Sequence, residues 1–181
     1  AAARLLAEAR RPMVVAGGGA RGASEPLTRV VERLNAPVAT TINGKGVLEE
    51  GHPLALGARL GTTAVVAAAD AADVLLVVGA ELGNSDMWQG MLRPAGHVVR
   101  VDVDPAMAAV NLQADTMLVG DAAVVLGQLA DVLDADRDAS PGATTPAWVS
   151  ELRREASTEA RQAGARWMPW VAAIDAGRAP D

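Results

Sequence analysis

The stretch RPMVVAGGGARGASEPLTRVVERLNAPVATT (Arg11–Thr41) decides the fold. It opens on a short apolar strand, Pro12–Gly17, and passes through a glycine-rich turn at Ala16–Ala23. It continues as a helix over Ala23–Asn35 and ends in a second strand, Pro37–Thr41. Within the helix Leu27, Val30, Val31 and Leu34 recur at helical spacing and mark one buried face. A strand, a helix and a strand with one apolar face each form a βαβ unit, which closes right-handed on a parallel sheet.

The same alternation continues outward. On the N-terminal side, Ala1–Arg10 is an amphipathic helix with Leu5, Leu6 and Ala9 inward, ended by Pro12. On the C-terminal side Ile42–Gly61 is irregular, broken by glycines and Pro53, and Thr62 and Thr63 cap a short helix running to Ala69. DVLLVVGA (Asp73–Ala80) is the clearest strand. HVVRVDVD (His97–Asp104) and DTMLVGD (Asp115–Asp121) follow it. Pro105 opens a short helix at a favourable first-turn position, and Asp121 caps a helix over Ala122–Leu133. Continuous apolar strands fit a sheet covered on both faces. The expected architecture is a Rossmann-like three-layer α/β sandwich of the DHS-like NAD/FAD-binding type. Its parallel sheet has about six strands in the order 3-2-1-4-5-6.

Residues 1–133 form this domain. DADRDASPGATTP (134–146) is a linker by composition. Residues 147–181 carry a charged helix, Ala147–Gly164, and a short apolar tail. They have no room for a core of their own and read as a helical connector toward a missing C-terminal catalytic domain. The chain begins mid-helix without a methionine, which reads as part of a longer polypeptide.

Of the 181 residues half are hydrophobic, almost all Ala, Val and Leu, with neither Phe nor Tyr. The net charge of −6 argues against a nucleic-acid partner. The absence of cysteine removes disulfides, thiolate metal sites and thiol nucleophiles, and it is compatible with a cytoplasmic location. No apolar run reaches the roughly 18 residues that span a bilayer.

Three motifs are candidates for chemistry. Gly17, Gly18 and Gly19, between a strand and a helix, allow backbone N–H groups to approach a phosphate. The competing reading is a tight turn that needs positive φ and close packing. No acidic residue ends the second strand to hold a ribose, so NAD is not expected. In INGKGVLEEGHPLALG (Ile42–Gly57), Lys45 and His52 are possible phosphate and proton-transfer groups, but no carboxylate stands at recognisable spacing. His52 hydrogen-bonding to backbone is the plainer reading. In VDVDP (Val101–Pro105), Asp102 is placed to clamp a ribose hydroxyl, while Asp104 caps the helix that Pro105 begins. Glu81, Asp86 and Trp88 lie in the loop after the clearest strand, where open α/β sheets bind ligands. Trp148, Trp167 and Trp170 read as anchors for a neighbouring domain. Gly120-Asp121-Ala122 has the start of a diphosphate–Mg²⁺ motif but not the Gly and Asn that complete it. His52 and His97 have no motif support for a free-standing Rossmann enzyme.

Taken together, RPMVVAGGGA, APVATTINGKGVLEEGHPLALG, ADVLLVVGA, VVRVDVDP and ADTMLVGDA resemble the middle domain of the acetolactate synthase and benzoylformate decarboxylase superfamily. The resemblance implies a thiamine-diphosphate and Mg²⁺ enzyme acting on 2-oxoacids, in which flanking domains supply the activating glutamate and the diphosphate site. It also implies a homo-dimer or homo-tetramer. Middle domains of this kind bind FAD, bind an ADP-like or CoA group, or bind nothing. FAD-binding relatives carry two arginines after the VGA strand, whereas here the loop reads GAELGNSDMWQG, with Glu81 in the first arginine's place. A carboxylate facing a diphosphate repels it, so tight FAD binding is not expected. The ELGNSDMW loop resembles decarboxylases acting on guanidino 2-oxoacids. The implied role is a non-catalytic scaffold. The alternative is a nucleotide-binding module in which Gly17–Gly19 hold a phosphate and Asp102 a ribose.

Overall fold

The computed structural model describes residues 1–87, 90–135 and 145–177. Six strands, β1 (Pro12–Ala16), β2 (Val38–Thr40), β3 (Ala55–Gly57), β4 (Val74–Val78), β5 (His97–Asp102) and β6 (Thr116–Val119), form one sheet. Their order is β3-β2-β1-β4-β5-β6. All five pairings are parallel. This is the expected topology, with one difference in how it is reached. The stretch expected to be irregular from Ile42 to Gly61 contains β3, because Leu54, Ala55 and Leu56 are all buried against β2. Three residues after a proline are too few to show a period.

The helices α1 (Ala2–Ala7), α2 (Ser24–Leu34) and α4 (Ala122–Ala135) cover one face, and α3 (Thr63–Asp70) and α5 (Ala147–Gly164) cover the other. Side chains alternate across the sheet as a pleated strand requires. Val14, Leu76, Val78, Val99 and Val101 enter the first core, while Met13, Val15, Leu75, Val77 and Val98 enter the second. The first helix is shorter than expected. Its chain leaves the helix at Glu8, and the Asp73 carboxylate then accepts from the N–H groups of Arg10 at 2.6 Å and Arg11 at 3.0 Å. In α2, Leu27, Val30 and Val31 are fully buried and Leu34 is half-buried. Asp121 caps α4 as expected, accepting from Ala123 and Val124.

The cap of α3 is a correction. Thr62 stands at the cap position, but its hydroxyl donates backward to the Arg59 carbonyl. Glu159 of α5 supplies the cap instead, its carboxylate accepting from Thr63 N–H at 2.7 Å and Ala64 N–H at 3.0 Å. A carboxylate at a helix N-terminus satisfies orphan donors and complements the dipole. The charged helix is thereby fastened to the domain itself. Val149, Leu152 and Ala156 bury its inner face, Trp148 lies 4.7 Å under the Arg11 guanidinium, and Arg153 donates to the carbonyls of Glu50 and His52. Of the three tail tryptophans read as anchors for a neighbour, Trp148 packs on this domain, whereas Trp167 and Trp170 are exposed. The linker expected at 134–146 begins inside α4, and residues 136–144 lie outside the described residues.

Among the described residues Arg100 is the largest fully buried side chain. It occupies the β5 position on the second face that period-2 alternation would give to an apolar residue. Its guanidinium donates to the carbonyls of Ala80 (2.6 Å), Val110 (2.8 Å) and Leu112 (3.0 Å). Burial pushes its pKa down, against the opposing pull of Asp102. Three carbonyls from two loops are thus tied to one strand.

Two stability predictions follow from these contacts. Glu159→Ala is expected to lower stability by about 1 kcal/mol, the usual worth of an N-cap; an unchanged urea midpoint would show that the cap is not formed. Arg100→Met leaves the buried carbonyls of Ala80 and Leu112 without this donor, while Val110 keeps the Leu112 N–H, and is expected to cost about 3 kcal/mol, measured in the same titration.

Candidate functional site

The order 3-2-1-4-5-6 reverses direction between β1 and β4, and the crevice beyond the strand ends at such a reversal is where open α/β sheets bind ligands. Here the backbone itself crowds that crevice. Gly17 N–H donates to the Val78 carbonyl at 2.9 Å, and Gly19 N–H to the Gly79 carbonyl at 3.0 Å. A Cβ on Gly17 would lie 2.3 Å from the Gly79 carbonyl oxygen. One on Gly79 would lie 2.6 Å from the Gly19 Cα. Gly18 has more room, facing the Asn43 side chain. Close packing is therefore what the glycines serve. The expected positive φ is not found in Gly17–Gly19; it falls on Gly79, at 52°. Two of the N–H groups that would cradle a phosphate are already engaged.

Beside this contact lies an open cleft of about 330 Å³, lined by Gly19, Gly79, Glu81, Asp102, Asp104, Met107 and Gly120 among others. It brings together Gly19 and Asp102 from the sequence candidates, while Gly17 and Gly18 do not line it. Asp102 accepts from the Asp104 N–H at 3.1 Å, and Asp104 accepts from the Ala106 N–H at 2.9 Å, which caps the 3₁₀ turn Pro105–Ala109. Glu81 is held at the rim through its backbone, whose carbonyl accepts from the Asn111 amide at 3.0 Å. Its neighbour Leu82 is buried at φ 58°, and Asn111 stands at φ 60°. These left-handed residues persist because Arg100 and the core fix the loops around them. The cleft thus presents Glu81, Asp102 and Asp104, an arrangement that repels a diphosphate.

The other candidates are dispersed. Lys45 is exposed and pairs with Glu50 at 3.6 Å. His52 accepts from the Leu54 N–H and meets Glu32 at 3.2 Å, the backbone-bonding role read as the plainer one. His97 bonds the Thr116 hydroxyl. Asp121 is occupied as a cap, so the residues at Gly120-Asp121-Ala122 do not fit a diphosphate–Mg²⁺ site. Trp88 lies outside the described residues. Among the described residues no three His, Asp or Glu side chains are grouped to hold a metal. Among the same residues no helix is long and apolar enough to cross a membrane. Sequence reading missed Arg100, although an inward-facing arginine at strand spacing in VVRVDV is a usable signal.

These features define a parallel Rossmann-like α/β domain with the strand order 3-2-1-4-5-6 and an acidic cleft at the strand ends. The family model for the central domain of thiamine pyrophosphate enzymes matches residues 1–129, and the chain belongs to this family. It is 43% identical over 141 residues to a probable acetolactate synthase large subunit of Methanocaldococcus jannaschii, covering 74% of this chain and 24% of that one. It is 41% identical over 156 residues to a probable 2-ketoarginine decarboxylase of Pseudomonas aeruginosa, covering 86% of this chain and 27% of that one. A crystal structure assigned to a thiamin diphosphate-dependent enzyme of Mycobacterium smegmatis superimposes with a TM-score of 0.62 at 30% identity, over 77% of this chain and 28% of that one. The chain therefore spans about a quarter of the length of these relatives.

Gly17→Ala forces a Cβ into the Gly79 carbonyl and is expected to cost about 3 kcal/mol or more. Gly22→Ala meets nothing within 4 Å and is expected to stay within about 0.5 kcal/mol of the parent. Equal thermal stability of the two variants would contradict the packing role.

Proposed function

We propose that this domain is the non-catalytic scaffold of a thiamine-diphosphate-dependent enzyme that decarboxylates or ligates 2-oxoacids. The observation that carries this reading is the family match over residues 1–129, joined to the close glycine contact between β1 and β4 and the acidic cleft beside it. When bound in the assembled enzyme, thiamine diphosphate would supply nucleophilic-carbon chemistry toward a 2-oxoacid, at a site formed by the flanking domains. The residues of this chain contribute rigidity and surface. Flanking catalytic domains hold the cofactor and Mg²⁺, in a cytoplasmic homo-dimer or homo-tetramer.

Residues 147–181 act as the connector to the next catalytic domain. Helix α5 is fastened to the scaffold by Glu159, Arg153 and Trp148. Helix α6 (Met168–Ala176), with the 3₁₀ turn before it, exposes Trp167, Trp170, Val171 and Ile174 at a spacing of three and four residues. That stripe offers the neighbouring domain an apolar face, since such spacing lines one side of a helix.

The substrate belongs to the 2-oxoacids, and kinship with both acetolactate synthase and 2-ketoarginine decarboxylase makes pyruvate and 2-ketoarginine the two to compare. The test is a carbon dioxide release assay on the full-length polypeptide containing this chain. The expected result is turnover of one of these acids that requires both thiamine diphosphate and Mg²⁺. Turnover without thiamine diphosphate, or none with any 2-oxoacid, overturns the reading.

FAD, ADP and CoA are expected to leave the melting temperature of the 181-residue chain unchanged. A ligand at 100 times its dissociation constant adds about 2.7 kcal/mol, so a working nucleotide site would be evident in a thermal scan. A clear upward shift would revive the nucleotide-binding alternative at Gly17–Gly19 and Asp102.

A further inference from the structure

A groove of about 710 Å³ runs between the loop after β3 and the C-terminal half of α5, and it shares no lining residue with the acidic cleft. Arg59, Gly61, Ala160, Arg166 and Trp167 are among the residues that line it. Glu159, whose carboxylate caps α3, borders it as well. Its size falls in the range of small-molecule sites, roughly 300–1,000 Å³. Trp167 is 56% exposed and lines the groove, whereas Trp170, Val171 and Ile174 do not.

The charge of the groove runs against that of the chain. The net charge is −6, yet two arginines line the groove, and among the described residues neither stands in an ion pair. Arg59 is held in place by two bonds. Its carbonyl accepts from the Thr62 hydroxyl at 2.9 Å, and its guanidinium donates to the Leu56 carbonyl at 2.5 Å. One such bond leaves a guanidinium with further N–H donors to offer. The Arg166 guanidinium lies 4.8 Å from the centre of the Trp167 ring, a cation–π contact that places a positive charge beside the indole. Both oxygens of Glu159 accept from N–H groups of α3, so its charge is directed to the helix end. Two arginines against one glutamate leave the groove suited to a single negative charge.

We propose that this groove binds a small organic monoanion, a carboxylate carried on a planar apolar body. The carboxylate receives N–H donors from Arg59, with the Arg166 charge beside it, since guanidinium and carboxylate match in geometry as well as charge. The apolar body lies against the Trp167 indole, above Gly61 and Ala160, which leave it room. The multiply charged phosphates of FAD, ADP and CoA are repelled there by Glu159. The occupant touches the 3₁₀ turn Ala165–Trp167 from which α6 departs, so binding orders the root of the connector.

Calorimetric titration of the 181-residue chain with phenylpropionate, beside its uncharged amide phenylpropionamide, tests the proposal. Phenylpropionate is expected to bind saturably and the amide about tenfold more weakly, the worth of one charge-assisted hydrogen bond. Arg59→Gln is expected to lose a similar factor. Arg166 is exposed, so Arg166→Gln keeps the fold and carries the test where Arg59→Gln does not. Trp167→Ala is expected to weaken binding, while Trp170→Ala, outside the groove, leaves it unchanged. Bound phenylpropionate is also expected to slow amide exchange at Ala165–Trp167. The proposal is overturned by the absence of saturable binding, by equal binding of acid and amide, or by full affinity in the arginine variants or in Trp167→Ala.

Discussion

The contact on which the rest depends is the meeting of two backbones at the ends of β1 and β4. Gly17, Gly19 and Gly79 approach so closely that a single methyl group at Gly17 or Gly79 would overlap backbone atoms. Gly44 repeats the device one strand over, where a Cβ would lie 2.3 Å from the Ala16 carbonyl oxygen. Each approach is accompanied by hydrogen bonds that continue the sheet past its formal end, from Gly17 to Val78, Gly19 to Gly79 and Thr41 to Ala16. In a nucleotide-binding sheet the corresponding space receives a phosphate. Here the neighbouring strand packs against Gly17 and Gly19, and the open cleft lined by Gly19 and Gly79 lies beside that contact.

Electrostatics points the same way. Glu81, Asp102 and Asp104 share the cleft beside the glycines. The arginine nearest in sequence, Arg100, is turned inward to three carbonyls and serves the fold. Burying a cation is costly, and hydrogen bonds to three separate carbonyls, with the pull of Asp102, offset that cost while fixing the loops. The Arg100 bonds at the strand ends and the helix pinned by a distant glutamate fix the loops and α5 to one sheet.

Much of this was legible in the sequence because it is local. The alternation of apolar strands with amphipathic helices set the topology, and helix α5 runs over the same Ala147–Gly164 that its composition marked. Asp104 and Asp121 cap as their positions before Pro105 and Ala122 suggest. The rest depends on contacts between residues far apart in the chain. Strand β3 exists because β2 offers it an edge, so its three residues carry no signal of their own. The cap of α3 comes from Glu159, 95 and 96 residues away from its partners, which no local motif reveals. The glycine loop was ambiguous for the same reason. Packing and phosphate binding both favour glycine, and only the position of β4 distinguishes them.

Amide hydrogen exchange at Gly17 and Gly19 tests the central claim most directly. If the crevice is sealed by backbone, both amides exchange as slowly as those of the neighbouring strands β1 and β4, with no change on adding ADP or FAD. Fast exchange at these two amides, slowed when a nucleotide is added, would contradict the claim and make the glycine loop a ligand site.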